Sequence, residues 1–218
     1  MSAPLIPPRL LFRFAVPCRK LPESASGVDF DLGAKFRLPT FGELEGHPTF
    51  ADVRVGWNEA GLAFSAEVTG KKQYPWCREG QLEESDGLHV WIDTRDTQTI
   101  HRAGRFCHRF IFMPTGGGPR RQDAVADQIM IHRAREHPKP AATRDLAVRT
   151  KSLGQGYFIQ GWINAGGLNG YDPGDASPRL GFQYCLLDRE RGEQTFSVSN
   201  DFPYTDDPSV WGTLELGQ

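Results

Sequence analysis

The sequence predicts a single all-β domain, an antiparallel β-sandwich of about nine to eleven strands with jelly-roll or immunoglobulin-like two-sheet packing. Two observations predict it. Apolar and polar residues alternate with a period of two along most of the chain, and turns rich in Gly, Pro, Asp and Asn separate the alternating segments. Helical periodicity is almost absent, which argues against a parallel βαβ sheet and therefore against Rossmann and P-loop proteins.

The strands can be followed in order by the faces that their apolar residues share. The first alternating segment is 10–16. Segments 53–57 and 62–68 flank a short loop that ends in Gly61, so 51–69 is predicted to be a hairpin. The helical candidates are 123–130, with two turns, and 163–168, with a single turn. Further strand segments cover 88–92, 106–112, 158–163, 182–187, 196–198 and 211–216, with weaker signals at 129–134 and 146–150.

Length and composition exclude several classes of protein. A chain of 218 residues with 39% hydrophobic content can bury a core without disulfides, and its four Cys are isolated, without a zinc-ligand pair. No segment approaches the roughly 20 apolar residues of a membrane span. The formal net charge of −2 argues against a general nucleic-acid binder. The start of the chain, 1–8, lacks the order of a secretory signal, so a cytoplasmic or mature chain is expected.

The charges are unevenly distributed along the chain. Segment 97–122 contains five Arg and no acidic residue, whereas segment 172–207 contains eight acidic residues and three Arg. One interpretation is that these Arg residues pair with the acidic segment across the sandwich. The other is that Arg105 and Arg109 form part of a binding face, because guanidinium groups suit carboxylates, phosphates and sugar hydroxyls.

Three aromatic residues lie outside the strand patterns and are the best candidates for ligand stacking. Trp76 and Tyr74 belong to the irregular segment 73–77, and Tyr204 belongs to 202–208. An exposed ring can stack on the apolar face of a pyranose, whereas a buried ring would close the end of the sandwich. The remaining tryptophans alternate with strand residues, which is typical of a core.

Sequence motifs of catalysis and metal binding are missing or weak. There is no G-x-S-x-G, P-loop or H-E-x-x-H motif, and Asp86 with Asp93 is one of many acid pairs for a glycosidase site, so no enzyme is expected. No cofactor is expected, with structural calcium as the exception. Four aspartates lie in or beside turns, where they can either contribute to a calcium site or stabilise the turns: Asp93, Asp96, Asp172 and Asp175.

Five segments, in order, resemble the family 9 carbohydrate-binding modules and their wider DOMON-like relatives. They carry a W-N hairpin, a D-x-x-x-x-x-I-D strand, a G-Y strand, an L-G-F strand and a D-P-x-x-W-G-x-L ending. Together they cover about 51–217, which leaves 1–50 as an N-terminal extension expected to pack on or complete a sheet. The segments are 53–64, 86–93, 156–163, 180–188 and 207–216.

The resemblance implies a β-sandwich that holds the end of a sugar between two aromatic rings, with polar side chains and structural calcium nearby. Asp86 and Asp188 match two acidic positions of the family. His89 and Gln160 stand where the family has Glu, while Glu83 and Thr205 fall near the two clamp aromatics. The aromatic clamp is therefore not inherited intact.

The leading hypothesis is non-catalytic binding of a carbohydrate or another small polar ligand, with no nucleic acid or membrane partner. The ligand would stack on Trp76, Tyr74 and Tyr204, with Asp86, His89, Arg105 and Arg109 as polar partners. One alternative is a DOMON-like haem or redox module. Another is a structural or adaptor domain that binds a protein partner. Haem ligands would come from His108, His132, Met113 or Met130.

Overall fold

The computed structural model describes residues 13–175 and 178–217, and its regular structure is almost entirely β. The predicted strand at 10–16 lies partly outside the described residues, and the first described strand begins at Ala15. The eleven strands are β1 Ala15–Lys20, β2 Ala51–Asn58, β3 Gly61–Thr69, β4 Gly87–Asp93, β5 Cys107–Gly117, β6 Asp123–Ile129, β7 Leu146–Leu153, β8 Gly156–Asn164, β9 Arg179–Asp188, β10 Gly192–Thr195 and β11 Gly212–Gly217.

The helices of the described residues are short 3-10 turns, and none is long and apolar enough to cross a membrane. The predicted turn in 163–168 is confirmed by Ala165–Gly167. The prediction of helical turns in 123–130 is wrong, because this segment pairs with β5 as strand β6. The 3-10 helices are Ala34–Phe36, Phe41–Glu45, Glu79–Glu84, Thr143–Asp145, Ala165–Gly167 and Pro208–Val210.

The predicted hairpin at 51–69 is confirmed. Strands β2 and β3 pair antiparallel from Ala51 opposite Val68 to Asn58 opposite Gly61. A side chain at Gly61 would place its Cβ 2.1 Å from the carbonyl oxygen of Ile163 in β8, and the φ of Gly61 is +153°. The glycine is therefore required both by the backbone conformation and by the close approach of the next strand.

All eleven strands belong to one hydrogen-bonded network, in the order β6-β5-β4-β9-β11-β1-β2-β3-β8-β7, with β10 added to β9. Strand β1 lies between β11 and β2 and is parallel to both, whereas the other pairs are antiparallel. The all-β class is confirmed, but a purely antiparallel arrangement is wrong, and two separate sheets are not confirmed. The N-terminal strand creates both differences, because it joins the halves that would otherwise end at β11 and β2.

The sheet curves around one apolar core. Phe64 of β3 stacks on Phe182 of β9 at a centroid distance of 6.0 Å and lies 6.1 Å from Phe112 of β5. Gly161 of β8 lies so close to Phe112 that an added Cβ would be 2.5 Å from its ring. The outermost strands β6 and β7 are neighbours in space. The sheet therefore approaches a closed barrel.

A second apolar cluster covers the outer face of β4, β5 and β9. It includes Trp91, Cys107, Cys185, Tyr204 and Trp211, all buried. The Tyr204 ring meets Trp91 edge-on at 5.4 Å, and Trp211 Nε1 donates to the Tyr204 carbonyl at 2.7 Å. Both faces of β4 are therefore covered, and all of its residues are buried.

Candidate functional site

The predicted site residues do not form one site. Tyr74 lines an open cavity at one end of the barrel, and Asp86 lies in an ion cluster beside that cavity. His89 and Arg109 lie on the outer face of β4 and β5. Arg105 is exposed in the loop before β5, at the other end of that strand.

The cavity, which we call the Tyr74 pocket, has a volume of about 470 Å³. The loop after β3, the end of β5 and the β7–β8 hairpin form its walls. Tyr74 is 93% exposed, so one aromatic ring is presented directly to solvent. The polar side chains of the wall include Gln73, Thr115, Gln122, Thr150 and Ser152.

Tyr157 of β8 contributes a buried wall of the same pocket. This residue is 2% exposed, and its hydroxyl group has no hydrogen-bond partner among the described residues. Burial raises the pKa of Tyr157 well above its usual value, so the hydroxyl stays neutral. A buried hydroxyl without a partner is costly in a folded protein, and this one lies behind the surface of the pocket with essentially no accessible area.

Next to Tyr157, a buried lysine joins two buried aspartates. Lys71 Nζ lies 2.5 Å from Asp188 Oδ2 and 3.4 Å from Asp86 Oδ2. Asp86 also accepts hydrogen bonds from the backbone amides of Trp76 and Arg189. Burial raises the pKa of Asp86, and the neighbouring Asp188 carboxylate acts in the same direction. Asp86 thus fixes the loop that carries Tyr74.

Trp76 is half-buried and is not part of the pocket wall. The guanidinium groups of Arg78 and Arg189 lie over its ring, at 5.4 and 5.0 Å from the centroid. Its backbone is tied to Asp86 in both directions, through its amide and its carbonyl group. The indole thus already has cationic neighbours, whereas Tyr74 remains open.

On the outer sheet face, His89 and Arg109 lie together around Trp91. The His89 ring stacks on Trp91 at 6.0 Å, and the Arg109 guanidinium lies 4.8 Å from the Trp91 ring centroid. Arg109 Nη1 donates to Glu83 at 2.9 Å, and His132 Nε2 lies 2.9 Å from the other Glu83 oxygen. Glu83 therefore covers this face from the solvent side.

Several buried polar atoms behind Glu83 have no hydrogen-bond partner of normal geometry: both ring nitrogens of His89, Trp91 Nε1 and Arg109 Nε. Burial lowers the pKa of His89 to about 3, and the nearby Arg109 charge acts in the same direction. The His89 ring is therefore neutral at pH 7. Two of the residues that depart from the family pattern, Glu83 and His89, therefore belong to a closed arrangement and not to an open sugar clamp.

Three further residues that the sequence analysis considered lie away from the pocket: Tyr204, Thr205 and Gln160. Tyr204 is 6% exposed and packs behind Trp91, so its ring does not face solvent. Thr205 beside it is exposed. Gln160 is buried on β8, where it accepts a hydrogen bond from Arg149 and donates one to the carbonyl of Phe30. None of the three faces the Tyr74 pocket.

The acid pair considered for a glycosidase is too widely separated. Asp86 precedes β4 and Asp93 ends it, so seven residue steps of about 3.3 Å place them roughly 20 Å apart. Paired glycosidase carboxylates lie within about 10 Å.

A Ser–His–Asp group occurs elsewhere in the structure. Ser209 Oγ and Asp207 Oδ2 lie 3.0 and 3.1 Å from the same nitrogen of His101, Nδ1. A catalytic relay needs the two partners on opposite nitrogens, so this group is not arranged as one.

The four aspartates considered for calcium bind groups of the protein. Asp93 accepts hydrogen bonds from the amides of Arg95 and Thr97, and Asp172 accepts one from the amide of Gly174. Asp96 accepts from the Thr213 hydroxyl, and Asp175 also has an interaction partner. Within 13–175 and 178–217, no three His, Cys, Asp or Glu side chains are placed to hold a metal ion.

The residues considered for haem do not surround one space. His108 is buried on the core side of β5, where its ring stacks on Phe110 at 5.9 Å, and burial lowers its pKa to about 4. Met113 has the opposite parity on the same strand, so it faces the other side of the sheet. Met130 is 67% exposed, and His132 is bound to Glu83. The haem alternative gains no support from these positions.

Sequence reasoning missed Lys71, Tyr157 and the pairing of Glu83 with Arg109. The Gly156-Tyr157 pair marked a strand, but nothing in the sequence indicates that its hydroxyl is unpaired at a cavity. Lys71 carries no signal, because its partner Asp188 is 117 residues away. Only the folded chain brings these groups together.

Comparison of the chain with protein-family models and with curated proteins found no match. Among solved structures, a family 9 module from Caldicellulosiruptor kristjanssonii with cellotriose has a TM-score of 0.61 and 13% identity, covering 93% of both chains. The same module with glucose has a TM-score of 0.62 and 12% identity, covering 93% of this chain and 95% of the other.

A candidate carbohydrate-binding protein from Bacteroides uniformis also matches, with a TM-score of 0.58 and 9% identity, covering 94% of this chain and 99% of the other. Identities this low establish the fold and not the site. The similarity spans the N-terminal strand as well as the region that carries the sequence resemblance. The chain has the fold of the family 9 carbohydrate-binding modules.

Proposed function

We propose that the protein binds carbohydrate without catalysing its cleavage, and that a sugar unit enters the Tyr74 pocket and stacks on Tyr74. The observation that carries the proposal is an aromatic ring 93% exposed at a polar cavity at one end of the barrel. The structural neighbours with cellotriose and glucose support the ligand class.

The pocket offers both kinds of contact that a pyranose requires. The apolar face of a sugar ring can lie on Tyr74, while its hydroxyl groups can bond to the amides and hydroxyls of the wall. The volume of about 470 Å³ falls within the range of small-molecule sites, which is about 300–1,000 Å³.

The lining of the pocket supports binding without catalysis. None of the residues that line it is Asp or Glu, and the nearby Asp86 and Asp188 are paired with Lys71, so no carboxylic acid of the lining is available to protonate a leaving group. The adaptor alternative would require a large exposed apolar patch. Among the described residues, the exposed large hydrophobic side chains lie in three separate segments: Leu44, Tyr74 and Met130.

Calorimetric titration with glucose, cello-oligosaccharides and xylo-oligosaccharides tests the proposal. Tyr74→Ala is expected to abolish binding without loss of stability, because the ring is exposed. Tyr157→Phe removes only an unpartnered hydroxyl that has no surface exposed to the pocket, so the fold and the affinity are both expected to be nearly unchanged. Leu44→Ala is the control, because it removes another exposed side chain outside the pocket.

Two results would contradict the proposal. The first is that no saccharide binds at millimolar concentration. The second is that Tyr74→Ala retains full affinity. If bound sugar instead perturbed the NMR signals of His89 and Arg109, the site would lie on the face covered by Glu83.

A further inference from the structure

The arginines of the basic segment do not pair with the acidic segment. Arg102, Arg105, Arg120 and Arg121 form no ion pair with any carboxylate of the described residues, and Arg109 pairs with Glu83. In the acidic segment, Asp188 and Glu190 pair with Lys71, and Asp207 pairs with His101. The interpretation that the arginines of 97–122 pair with the acidic segment is therefore wrong. Most of these arginines face solvent and are available to a ligand.

Two arginines share one aromatic ring at the start of β5. The guanidinium groups of Arg95 and Arg105 lie 4.9 and 5.0 Å from the Phe106 centroid. Both arginines are exposed, and neither guanidinium group forms an ion pair with a carboxylate of the described residues. Phe106 packs so closely against Gly170 that an added Cβ would be 2.8 Å from its ring. The tightly packed Phe106 ring thus places the two guanidinium charges near each other.

A second loop extends this surface. Arg102 Nε donates to the carbonyl of Arg133 at 2.8 Å, and the amide of Arg135 donates to the carbonyl of Ala103 at 2.8 Å. Loops 95–106 and 131–135 are therefore joined. We call their exposed arginines the arginine end: Arg95, Arg102, Arg105, Arg133 and Arg135.

The acidic groups around the arginine end are few or already occupied. Asp93 is buried and accepts hydrogen bonds from two backbone amides, and Asp96 accepts from Thr213. Asp207 is bound to His101 and Ser209, beside Asp206 in a cavity that also contains Arg102 and Arg133. Glu136 is the exposed acid next to the second loop. Asp93 accepts from the backbone amide of Arg95 and also interacts electrostatically with its charge, but no carboxylate of the described residues forms an ion pair with the guanidinium group of Arg95 or of Arg105.

The arginine end and the Tyr74 pocket lie at opposite ends of the barrel. Strand β5 begins at Cys107, directly after Phe106, and reaches Pro114 and Thr115 in the wall of the pocket. Seven residue steps along a strand span roughly 20 Å. A single sugar unit at one place therefore does not contact the other, and variants at the two places can be tested independently.

We propose that the arginine end is a second binding surface, for an acidic polysaccharide. Guanidinium forks match carboxylate and sulfate groups, and the half-buried Phe106 between two of them offers an apolar edge for a sugar ring. A polysaccharide with one charge per sugar unit suits a small cluster on a chain of net charge −2. Duplex DNA, with one charge per about 1.7 Å, favours a more extended basic surface.

The test measures binding of the full chain to polygalacturonate and to heparin at low and high salt, by affinity electrophoresis and calorimetry. The first polymer carries carboxylates and the second also carries sulfates, so the two distinguish the anionic group. The variant Arg95→Gln with Arg105→Gln is expected to weaken binding at least tenfold, and added salt is expected to weaken binding by the unmodified chain. The control, Arg120→Gln with Arg121→Gln, removes the same charge from the β5–β6 turn and is expected to change affinity less than twofold.

Three outcomes would overturn the proposal: neither polymer binds at low salt, the control weakens binding as much as the test variant, or duplex DNA binds as tightly as the polysaccharides. Titration with a neutral sugar keeps the two proposals apart. The Arg95 and Arg105 variant is expected to retain neutral-sugar binding, and Tyr74→Ala is expected to retain binding of the acidic polymer.

Discussion

The Glu83 carboxylate lies 2.9 Å from Nη1 of Arg109 and covers the outer face of β4 and β5. Arg109 is nearly buried over Trp91, whereas Glu83 is 41% exposed, so the acid closes this face from outside. In the family resemblance, Glu83 falls near an aromatic clamp position. An internal ion pair therefore lies where the resemblance leads one to expect an aromatic ring.

Glu83→Gln is expected to destabilise the protein by about 1–3 kcal/mol at pH 7, because it leaves the buried Arg109 charge without its anionic partner. Although burial acts to raise the pKa of Glu83, hydrogen bonds and charge from Arg109 and His132 hold that pKa below its usual value of 4.5. The stabilisation is thus present above pH 4.5 and lost as the pH falls through the lower folded-state pKa.

Urea denaturation at pH 7 and at pH 3 measures this effect. The difference between Glu83→Gln and the unmodified chain is expected to shrink at the lower pH. The exposed neighbour Glu84→Gln serves as control and is expected to change stability by less than about 0.5 kcal/mol. Equal stability of Glu83→Gln and the unmodified chain at pH 7 would show that Arg109 does not need this partner.

Lys71→Met is expected to cost about 3–5 kcal/mol, because it leaves the buried carboxylates of Asp86 and Asp188 without their shared cation. The exposed neighbour Lys72→Met is the matched control and is expected to have little effect. Guanidinium denaturation measures both variants. A loss below about 1 kcal/mol for Lys71→Met would contradict the role of this lysine in fixing the loop.

Acid destabilisation is expected from the two buried histidines. Burial lowers the pKa of His89 to about 3 and of His108 to about 4, from 6.5 in the unfolded chain. The unfolded state therefore binds more protons below pH 6.5, and stability falls as the pH falls toward these folded values. Each buried histidine is expected to lower the free energy of unfolding by on the order of 1.4 kcal/mol per pH unit, between pH 6.5 and its pKa in the folded state.

His89→Phe isolates one of these contributions, because neither nitrogen of His89 has a hydrogen bond of normal geometry to lose. The raised pKa values of Asp86 and Asp93 act in the opposite direction near their own titrations, so the slope of stability against pH is compared between variants from pH 7 to 5. His89→Phe is expected to reduce this slope, whereas His137→Phe, which changes an exposed histidine, is expected to leave it unchanged. An unchanged slope in His89→Phe would show that His89 is protonated without unfolding.

Local patterns in the sequence predicted much of the fold. The β2–β3 hairpin depends on alternation and a short turn within 19 residues, and the structure confirms it. Segment 123–129 was ambiguous because its mixed polar and apolar residues show neither the helical nor the strand period clearly, and pairing with β5 makes it strand β6. The parallel position of β1 between β11 and β2 depends on strands far apart in the chain, for which alternation carries no information.

The candidate site shows the same division. Tyr74 and Tyr204 were equivalent in the sequence, since each is a loop aromatic beside proline. The structure leaves Tyr74 93% exposed and buries Tyr204 against Trp91. Burial of a loop residue depends on which distant surface the loop meets, and no local period reports that.

The sequence alone therefore determined the all-β class, most strand positions, the family resemblance and the uneven distribution of charge. These properties follow from the two-residue period of a strand and from the order of residues, both of which are local. The tertiary structure decided that Glu83 closes one face, that Lys71 joins two aspartates and that the guanidinium groups at the start of β5 form no ion pair with a carboxylate of the described residues. Burial and charge pairing are set by residues distant in sequence, and only the folded chain brings them within contact distance.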